Sequence, residues 1–299
     1  MAGFLKKILG QQKSGEVEVS TEPLPASAQP TESEENVAPK IKPTQLIVGC
    51  AQSVGLQREH NEDSLFTLTS TLAGDSVEVP FGLYIVADGM GGHKHGEIAS
   101  NLAARAMANQ VIRNLYTPIF STKPASPERS ILEIMSQGTQ DAHASVLREA
   151  PGGGTTLTAV LILGEQVTIA HVGDSRAYAL RSDGSLQILT RDHSLVRRLV
   201  ELGQITVEEA AYHPQRNVLY RAIGQSEPLD SDVSTHPLPH GGHLLVCSDG
   251  LWSTVPEKDL LEIIQTNPSP EIACQKLVEA ANQAGGPDNI TVILIRIPD

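Results

Sequence analysis

The chain has 299 residues, with 35 acidic side chains against 22 lysines and arginines, so its formal net charge is −13. This length is enough to bury the core of one large domain or of two small ones. The acidic excess excludes a nucleic-acid binder that relies on a basic surface, because such proteins neutralise phosphates with Lys and Arg. The three cysteines form no CxxC metal motif, and any disulfide leaves one unpaired, which favours a reducing cytoplasm: Cys50, Cys247 and Cys274.

The N-terminal segment, residues 1–43, is predicted to be a disordered tail. Residues 11–43 contain five prolines and no aromatic residue, and they cannot bury enough apolar surface to offset the loss of chain entropy. The first ten residues, MAGFLKKILG, have an apolar run too short for a signal peptide, and no transmembrane segment of about 18 apolar residues follows. They form at most a weak anchor to a membrane or a partner.

From residue 44 onward, short apolar runs alternate with longer helical patterns. Gly82–Ala87 and Thr291–Ile295 are continuously apolar, as expected for strands that are buried on both faces. The runs occur in clusters rather than in strict βαβ alternation, which favours antiparallel sheets flanked by helices. The predicted strands are Leu46–Ala51, Gly82–Ala87, Thr156–Leu163, Val167–Val172, Ala177–Leu180, Leu244–Cys247 and Ile290–Ile297.

Long helices are predicted at Gly96–Leu115 and Glu128–Glu149. Two further helices near the end have start signals: Pro256 suits the first turn of one, and Ser269 followed by Pro270 reads as N-cap and N1 of the other. The stripe of the first helix that is expected to face the core consists of Ile98, Leu102 and Ala106.

Four aspartates lie at the ends of predicted strands, namely Asp88, Asp174, Asp249 and Asp288. A single Asp-Gly pair is most often a tight turn. Four acids that follow or precede rigid strands can instead converge, and converging carboxylates repel one another unless cations or protons compensate them. An all-oxygen ligand set suits Mg²⁺ or Mn²⁺.

Other kinds of site have weaker support. His93 and His95 have metal-like spacing but no matching downstream cluster, so a surface role or a supporting role is expected for them. The sequence contains neither a Gly-Lys-Ser/Thr phosphate loop nor a GxSxG nucleophile motif.

An arginine stands at the start of the acidic cluster Arg58-Glu-His-Asn-Glu-Asp-Ser64. This cluster is either a solvated charged loop or a phosphate-binding site. In the second interpretation, Arg58 forks a phosphate while Glu62 and Asp63 orient metal-bound waters.

Seven motifs together resemble the metal-dependent protein phosphatases of type 2C, in their compact bacterial form, over about residues 45–298. Any one of them is weak evidence, but their order is specific. They are Arg58-x-x-Asn-Glu-Asp63, Asp88-Gly-Met-Gly-Gly92, Gly154-Thr-Thr156, Val172-Gly-Asp-Ser-Arg176, Leu189-Thr-Arg-Asp-His-Ser194, Ser248-Asp-Gly250 and Gly286-Pro-Asp-Asn-Ile-Thr-Val292.

The resemblance implies an α+β fold, a four-layer α-β-β-α sandwich with two central, mainly antiparallel sheets, as one catalytic domain over residues 44–299. It implies two Mn²⁺ or Mg²⁺ ions, with Asp88 bridging both, the Gly89 carbonyl on one, and Asp249 and Asp288 on the other. Asp174 matches the acid that, with Asp249, holds a third and weaker ion. Arg58 matches the phosphate-binding arginine.

The resemblance also implies a flap over about residues 195–228 that contacts the substrate. Met90 stands where many members have a histidine proposed as the general acid. The proton for the leaving group therefore comes from a metal-bound water or from another histidine. His93 is the nearest in sequence, whereas His193 is expected to be structural.

The function implied is the hydrolysis of phosphoserine and phosphothreonine in proteins by in-line attack of a hydroxide that bridges the two ions. The enzyme is expected to be a monomer that opposes a serine/threonine kinase. Two alternatives stay open: a non-catalytic regulatory module with the same fold, and a phosphomonoesterase for small molecules.

Overall fold

Two five-stranded antiparallel sheets form the centre of the fold. The computed structural model describes residues 45–74, 77–91, 94–225, 228–267 and 269–298, so the predictions for residues 1–43 and for His93 lie outside the described residues. The strands are β1 Ile47–Ser53, β2 Ser64–Gly74, β3 Val77–Ala87, β4 Gly89–Met90, β5 Gly154–Thr155, β6 Leu157–Leu163, β7 Gln166–Val172, β8 Arg176–Leu180, β9 Leu186–Ile188, β10 Asp232–Pro237, β11 His243–Cys247 and β12 Ile290–Arg296.

One sheet has the strand order β1-β12-β11-β8-β9 and the other has β10-β7-β6-β3-β2, while β4 and β5 form a small separate ribbon. All pairings are antiparallel. A single turn of π-helix, Ile112–Tyr116, extends the first helix. The α-helices are α1 Lys94–Val111, α2 Thr117–Phe120, α3 Ile131–Glu149, α4 Leu195–Glu201, α5 Val207–Ala211, α6 Asp249–Trp252, α7 Glu257–Thr266 and α8 Pro270–Gln283.

Strand alternation divides the apolar side chains among three buried layers. On β3, Leu83 and Ile85 pack towards α1 and α3, while Tyr84 and Val86 pack between the two sheets, because successive side chains of a strand point to opposite faces. Likewise β12 directs Leu294 towards α8. Three apolar layers separate four layers of structure, and the predicted α-β-β-α sandwich is confirmed.

All seven predicted strands are present, with ends that differ by a few residues. Five strands were missed: the two-residue ribbon strands β4 and β5, and three strands of the main sheets, β2, β9 and β10. Each of the latter three lies at the edge of a sheet, and the half-exposed Ser and Thr residues of β2 and β10 weaken the apolar pattern that marks a buried strand.

The helix predictions need three corrections. The predicted stripe on α1 is wrong at Ile98, which is 44% exposed, whereas Leu102 and Ala106 are half-buried against the core. The fully buried face is carried by Ala99, Ala103 and Met107. The small alanines let α1 pack closely against α3 and the sheet. The predicted start at Glu128 is also wrong: α3 begins at Ile131, after a capping box formed by Ser130 and Glu133.

The third correction concerns Pro256, which is the N-cap of α7 rather than a residue of its first turn. Ser269 and Pro270 lie at the N-cap and N1 of α8, as predicted. None of the described helices is long and apolar enough to span a membrane.

Candidate active site

A cleft of about 730 Å³ lies at one end of the sandwich. It gathers all of the predicted site residues that the structure describes except Asp63, which is buried. The predicted residues that line the cleft are Arg58, Glu62, Asp88, Gly89, Asp174, Asp249 and Asp288.

Both sheets contribute acids to the cleft. Asp88 directly follows β3 and Asp174 lies two residues after β7, and both strands belong to one sheet. Asp249 opens α6 just after β11, and Asp288 precedes β12 in the other sheet. Since the antiparallel order brings these strand ends to the same side, the packing of one sheet on the other determines how the four carboxylates meet.

The main chain of Asp88 is held by two threonines. Its N–H donates to Thr156 Oγ1 at 2.9 Å, and its carbonyl oxygen accepts from the Thr156 N–H at 2.9 Å and from Thr155 Oγ1 at 2.9 Å. The Thr156 hydroxyl also lies 2.7 Å from the Ser175 hydroxyl. Thr156 thus fixes Asp88, a role that the Gly-Thr-Thr motif did not reveal by chemistry alone.

Gly89 occupies a place that has no room for a side chain. A Cβ atom there would lie 2.4 Å from the carbonyl oxygens of Glu62 and Gly96. A Cβ on Gly96 would lie 2.1 Å from Glu62 Oε2. The two glycines therefore allow the backbone of β4 to approach the acidic loop directly.

Asn289 joins the acidic loop to β12. Its Oδ1 accepts from the N–H of Glu62 at 2.8 Å, and its Nδ2 donates to the carbonyl oxygens of Val54 and His60 at 2.8 and 2.9 Å. Sequence reasoning assigned no role to Asn289, because an amide has no distinctive spacing. His60 and Asn217 also line the cleft and were not singled out from sequence.

Arg58 lies at the rim of the cleft, with its side chain 52% exposed and its Nη2 donating to Asp288 Oδ2 at 2.7 Å. The other carboxylate oxygen of Asp288 accepts from the N–H of Asn289 at 2.8 Å. An exposed ion pair of this kind contributes little to stability, so the guanidinium can turn towards an anion that enters the cleft.

Asp63 lies behind the cleft and is 7% exposed. The Thr291 hydroxyl donates to its Oδ2 at 2.6 Å, whereas its Oδ1 is buried without a hydrogen-bond partner. Burial raises the pKa of Asp63 from 3.8 to about 6, because a charged carboxylate is poorly solvated in the interior.

The carboxylates in the cleft disfavour one another's ionisation. Burial, followed by the charges of neighbouring acids, raises the pKa of Asp88 and that of Asp249 well above the ordinary value. Burial and the charge of Asp192 raise the pKa of Asp174 to about 7. Asp249 Oδ1 is buried and accepts no hydrogen bond.

These features fit a hard divalent cation. An oxygen that is buried without a partner costs free energy until something binds it, and mutually repelling carboxylates are relieved by positive charge. Within the described ranges, no three His, Cys, Asp or Glu side chains are gathered closely enough to hold a metal ion by themselves. Mg²⁺ and similar ions bind through one or two carboxylates and keep several waters, so an open arrangement is compatible with them.

Asp174 is supported from the other side by an aromatic and a cationic side chain. Trp252 Nε1 donates to the carbonyl oxygen of Asp174 at 2.9 Å, and the Arg176 guanidinium lies 3.6 Å from the centre of the Trp252 ring. Arg176 in turn donates to both carboxylate oxygens of Asp192. This network fixes the loop that carries Asp174.

His193 is structural, as expected. It is 1% exposed, and its Nδ1 accepts from the N–H of Gly173 at 3.1 Å. The ring proton therefore lies on Nε2, which is 3.2 Å from Asp232 Oδ2. Burial lowers the pKa of His193, which keeps the ring neutral. His193 does not line the cleft.

The predicted flap contains α4 and α5 and returns to the domain through residues 218–223. Ser194 bridges to Leu219, and Thr155 bridges to Ile223. Leu219 and Asn217 line the cleft, so the flap residues lie next to the acids without belonging to the acidic set.

A family model described as Protein phosphatase 2C matches residues 57–283. This chain belongs to the protein phosphatase 2C family. It is 34% identical over 250 residues to a putative protein phosphatase 2C-type of Streptococcus pyogenes, and the aligned region covers 84% of this chain and 97% of that protein. It is 36% identical over 250 residues to the serine/threonine protein phosphatase PstP of Mycobacterium tuberculosis, and the aligned region covers 82% of this chain but only 44% of PstP.

A solved structure shows the same fold in this family with metal bound. The catalytic domain of the serine/threonine protein phosphatase PstP in complex with two manganese ions has a TM-score of 0.66 and 33% identity, over 86% of this chain and 100% of that one. The similarity between this chain and its relatives in the protein phosphatase 2C family therefore includes the sandwich that carries the acidic cleft.

Proposed function

We propose that this member of the protein phosphatase 2C family hydrolyses phosphoserine and phosphothreonine in proteins with the help of two Mn²⁺ or Mg²⁺ ions. The observation that carries the proposal is the group of cleft carboxylates with raised pKa values, one of which, Asp249, has a buried oxygen without a partner. The names of the relatives, which are serine/threonine phosphatases, support the choice of substrate.

Each predicted ligand has a role in the proposal. Asp88, the Gly89 carbonyl, Asp249 and Asp288 would hold the two ions, and Asp174 with Asp249 would hold a third, weaker ion. Bound divalent cations of this kind lower the pKa of a water to supply a nucleophile and offset the charge of the phosphate.

The residues of the chain supply positioning. Arg58 leaves Asp288 and binds the phosphate through two hydrogen bonds, since a guanidinium matches two phosphate oxygens at once. Asn289 holds the backbone of Glu62, and Thr291 holds one carboxylate oxygen of Asp63. Glu62 and the other, unpartnered oxygen of Asp63 would then accept hydrogen bonds from water. Preorganised donors and acceptors lower the barrier more than flexible ones do.

The leaving oxygen of serine or threonine needs a proton. Met90 has none to donate, and His193 is buried away from the cleft. His60 lines the cleft beside Arg58, so this histidine and His93 are the imidazoles to test, alongside water. A general acid must lie within hydrogen-bond reach of the leaving oxygen.

The test is phosphate release from a phosphothreonine peptide with Mn²⁺, with and without a chelator. Activity that requires Mn²⁺ and is lost in Asp249→Asn supports the proposal. Asp183→Asn is the matched control, because Asp183 lies in an exposed turn, where it accepts from the Ser185 N–H at 2.8 Å. Metal-independent activity, or equal activity in Asp249→Asn, contradicts it, and faster hydrolysis of small phosphoesters than of phosphopeptides contradicts the protein substrate.

The proposal extends to the cellular setting. We expect a monomer that opposes a serine/threonine kinase in the cytoplasm. The free thiols of Cys50, Cys247 and Cys274 support a reducing compartment. Light scattering on the purified protein tests the monomer, and phosphoproteomics after gene deletion tests the kinase: sites that gain phosphate in the deletion strain are its substrates.

A further inference from the structure

A second cavity, of about 560 Å³, lies beside the catalytic cleft. Three arginines, Arg191, Arg198 and Arg221, line it together with one acid, Asp230, and we call it the arginine pocket. Its basic character stands out because residues 44–299 carry 29 acidic and only 17 basic side chains. A local reversal of charge in an acidic domain indicates a place where an anion binds.

The arginine pocket and the catalytic cleft share a wall. The segment 219–222 forms it, with Leu219 lining the cleft and Tyr220, Arg221 and Ala222 lining the pocket. The N–H of Tyr220 donates to the carbonyl oxygen of His193 at 2.9 Å. A ligand that crosses this wall touches both cavities.

The wall is also bonded to the floor of the cleft. Ile223 and Thr155 exchange two backbone hydrogen bonds, of 2.9 and 3.0 Å. Thr155 in turn donates to the carbonyl oxygen of Asp88. The arginine pocket therefore lies in a fixed relation to the aspartate that we place at the metal ions.

The positive charge at the mouth of the pocket is only partly neutralised. One carboxylate, that of Glu201, forms ion pairs with three arginines: Arg191, Arg197 and Arg198. Arg198 is the most weakly held, since its Nη1 lies 3.8 Å from Glu201 and its side chain is 54% exposed. Its guanidinium can turn into the pocket without breaking a buried interaction.

Arg221 provides a cation that two carboxylates hold in place. Its Nη1 lies 3.3 Å from Asp232 and its Nη2 pairs with Asp230, while its guanidinium lies 5.6 Å from the centre of the Tyr220 ring. The pocket thus combines one held arginine with two half-exposed ones. This combination suits a charged oxyanion, which arginines bind through paired hydrogen bonds.

We propose that the arginine pocket binds an acidic group of the phosphoprotein substrate, either a second phosphate or a carboxylate, at a set number of residues from the phosphoresidue being hydrolysed. The proposal rests on the proposed function and names a class of substrates for it. Such a pocket selects acidic substrates although the domain as a whole repels them.

The test uses the full chain with Mn²⁺ and a set of phosphothreonine peptides. Each peptide carries alanine, glutamate, phosphoserine or lysine at one position, scanned outward from the phosphothreonine in both directions. Mass spectrometry follows the loss of phosphate from the threonine alone. At the position that reaches the pocket, an acidic residue is expected to raise kcat/KM over alanine by about fivefold, mainly through KM. The glutamate and phosphoserine peptides separate the two sources of charge.

Substitutions of the pocket separate it from general electrostatics. Arg198→Ala, with Arg198→Gln as a second variant, is expected to remove most of the acidic preference. Arg181→Ala is the matched control, because Arg181 donates to Gln187 on the β8–β9 hairpin and does not line the pocket. Glu201→Gln is expected to increase the preference, since it releases the arginines that lean on it.

The outcomes distinguish this proposal from the one on which it rests. Hydrolysis of all peptides with no acidic preference at any position overturns the arginine pocket and leaves the phosphatase function intact. An acidic preference that persists unchanged in both Arg198 variants also overturns it. If no phosphopeptide is hydrolysed with Mn²⁺, the proposed function itself fails and the pocket proposal falls with it.

Discussion

Replacing Asp63 by asparagine is expected to stabilise the metal-free protein at pH 8 and to weaken metal-dependent hydrolysis. The buried carboxylate of Asp63 has one oxygen bonded to Thr291 and another with no partner. Asparagine keeps the shape and the acceptor for Thr291 but removes the charge. The same change takes away the carboxylate that we propose to orient water, so activity is expected to fall.

The magnitude follows from the pKa of Asp63, which burial raises from 3.8 to about 6. One pH unit corresponds to about 1.4 kcal/mol, so the ionised carboxylate costs the folded state about 3 kcal/mol. The protonated Asp63 therefore contributes about 3 kcal/mol of folding stability relative to the ionised form. Because its pKa is raised in the folded state, this contribution is fully present below pH 3.8 and is lost as the pH rises through about 6. Asparagine does not titrate, so the gain of the variant grows over the same interval.

The assay is urea unfolding of the chelator-treated parent and Asp63→Asn proteins at several pH values between 4.5 and 8. The difference in unfolding free energy is expected to be about 1 kcal/mol at pH 4.5 and to approach about 3 kcal/mol at pH 8. Asp183→Asn is the control, since the exposed Asp183 has a pKa that its hydrogen bonds with Ser185 lower. A difference that does not change with pH, or a loss of stability at pH 8, refutes the reasoning.

Three further substitutions test the geometry of the cleft. Gly89→Ala is expected to cost about 3 kcal/mol and to abolish activity, because its Cβ lies 2.4 Å from two carbonyl oxygens; thermal unfolding and phosphate release measure this, and a stable, active variant contradicts it. Thr156→Val removes the acceptor for the Asp88 N–H, so we expect a loss of about 2 kcal/mol in urea unfolding and a lower kcat. Trp252→Phe keeps an aromatic side chain, although a smaller one, but loses the N–H that donates to the Asp174 carbonyl. We therefore expect a loss of about 1 kcal/mol of stability and a higher Mn²⁺ requirement for half-maximal activity; an unchanged Mn²⁺ titration excludes that role.

The sequence indicated the acids of the cleft because strand ends have a simple signature. An apolar run such as Gly82–Ala87 can be recognised without any structure, and the aspartate that follows it must lie where a buried strand ends. The four-layer sandwich came from the order of the motifs rather than from periodicity. Periodicity alone placed the stripe of α1 on Ile98, one residue away from the buried Ala99.

The residues that hold the acids in place could not be predicted, because their roles depend on contacts between distant segments. Asn289 bonds to three backbone groups of residues 54–62, and an amide in a loop gives no sign of this. The burial of Asp63 is likewise a property of packing. The arginine pocket combines residues from three separate stretches, 191–198, 220–222 and 228–230, which only the folded chain brings together.

The division of the ligands between the two sheets links the stability of the fold to its chemistry. Asp88 and Asp174 come from one sheet, and Asp249 and Asp288 come from the other. The apolar layer between the sheets, which includes Tyr84 and Ile293, sets the distance between the two pairs together with the hydrogen bond from Trp252 to the Asp174 carbonyl. Close-packed interiors transmit a change of one methylene group to their surroundings, so a substitution in this layer changes the separation of the carboxylates. Divalent cations bridging the pairs would in turn hold the ends of the sheets together, because the unbridged carboxylates repel one another across the cleft.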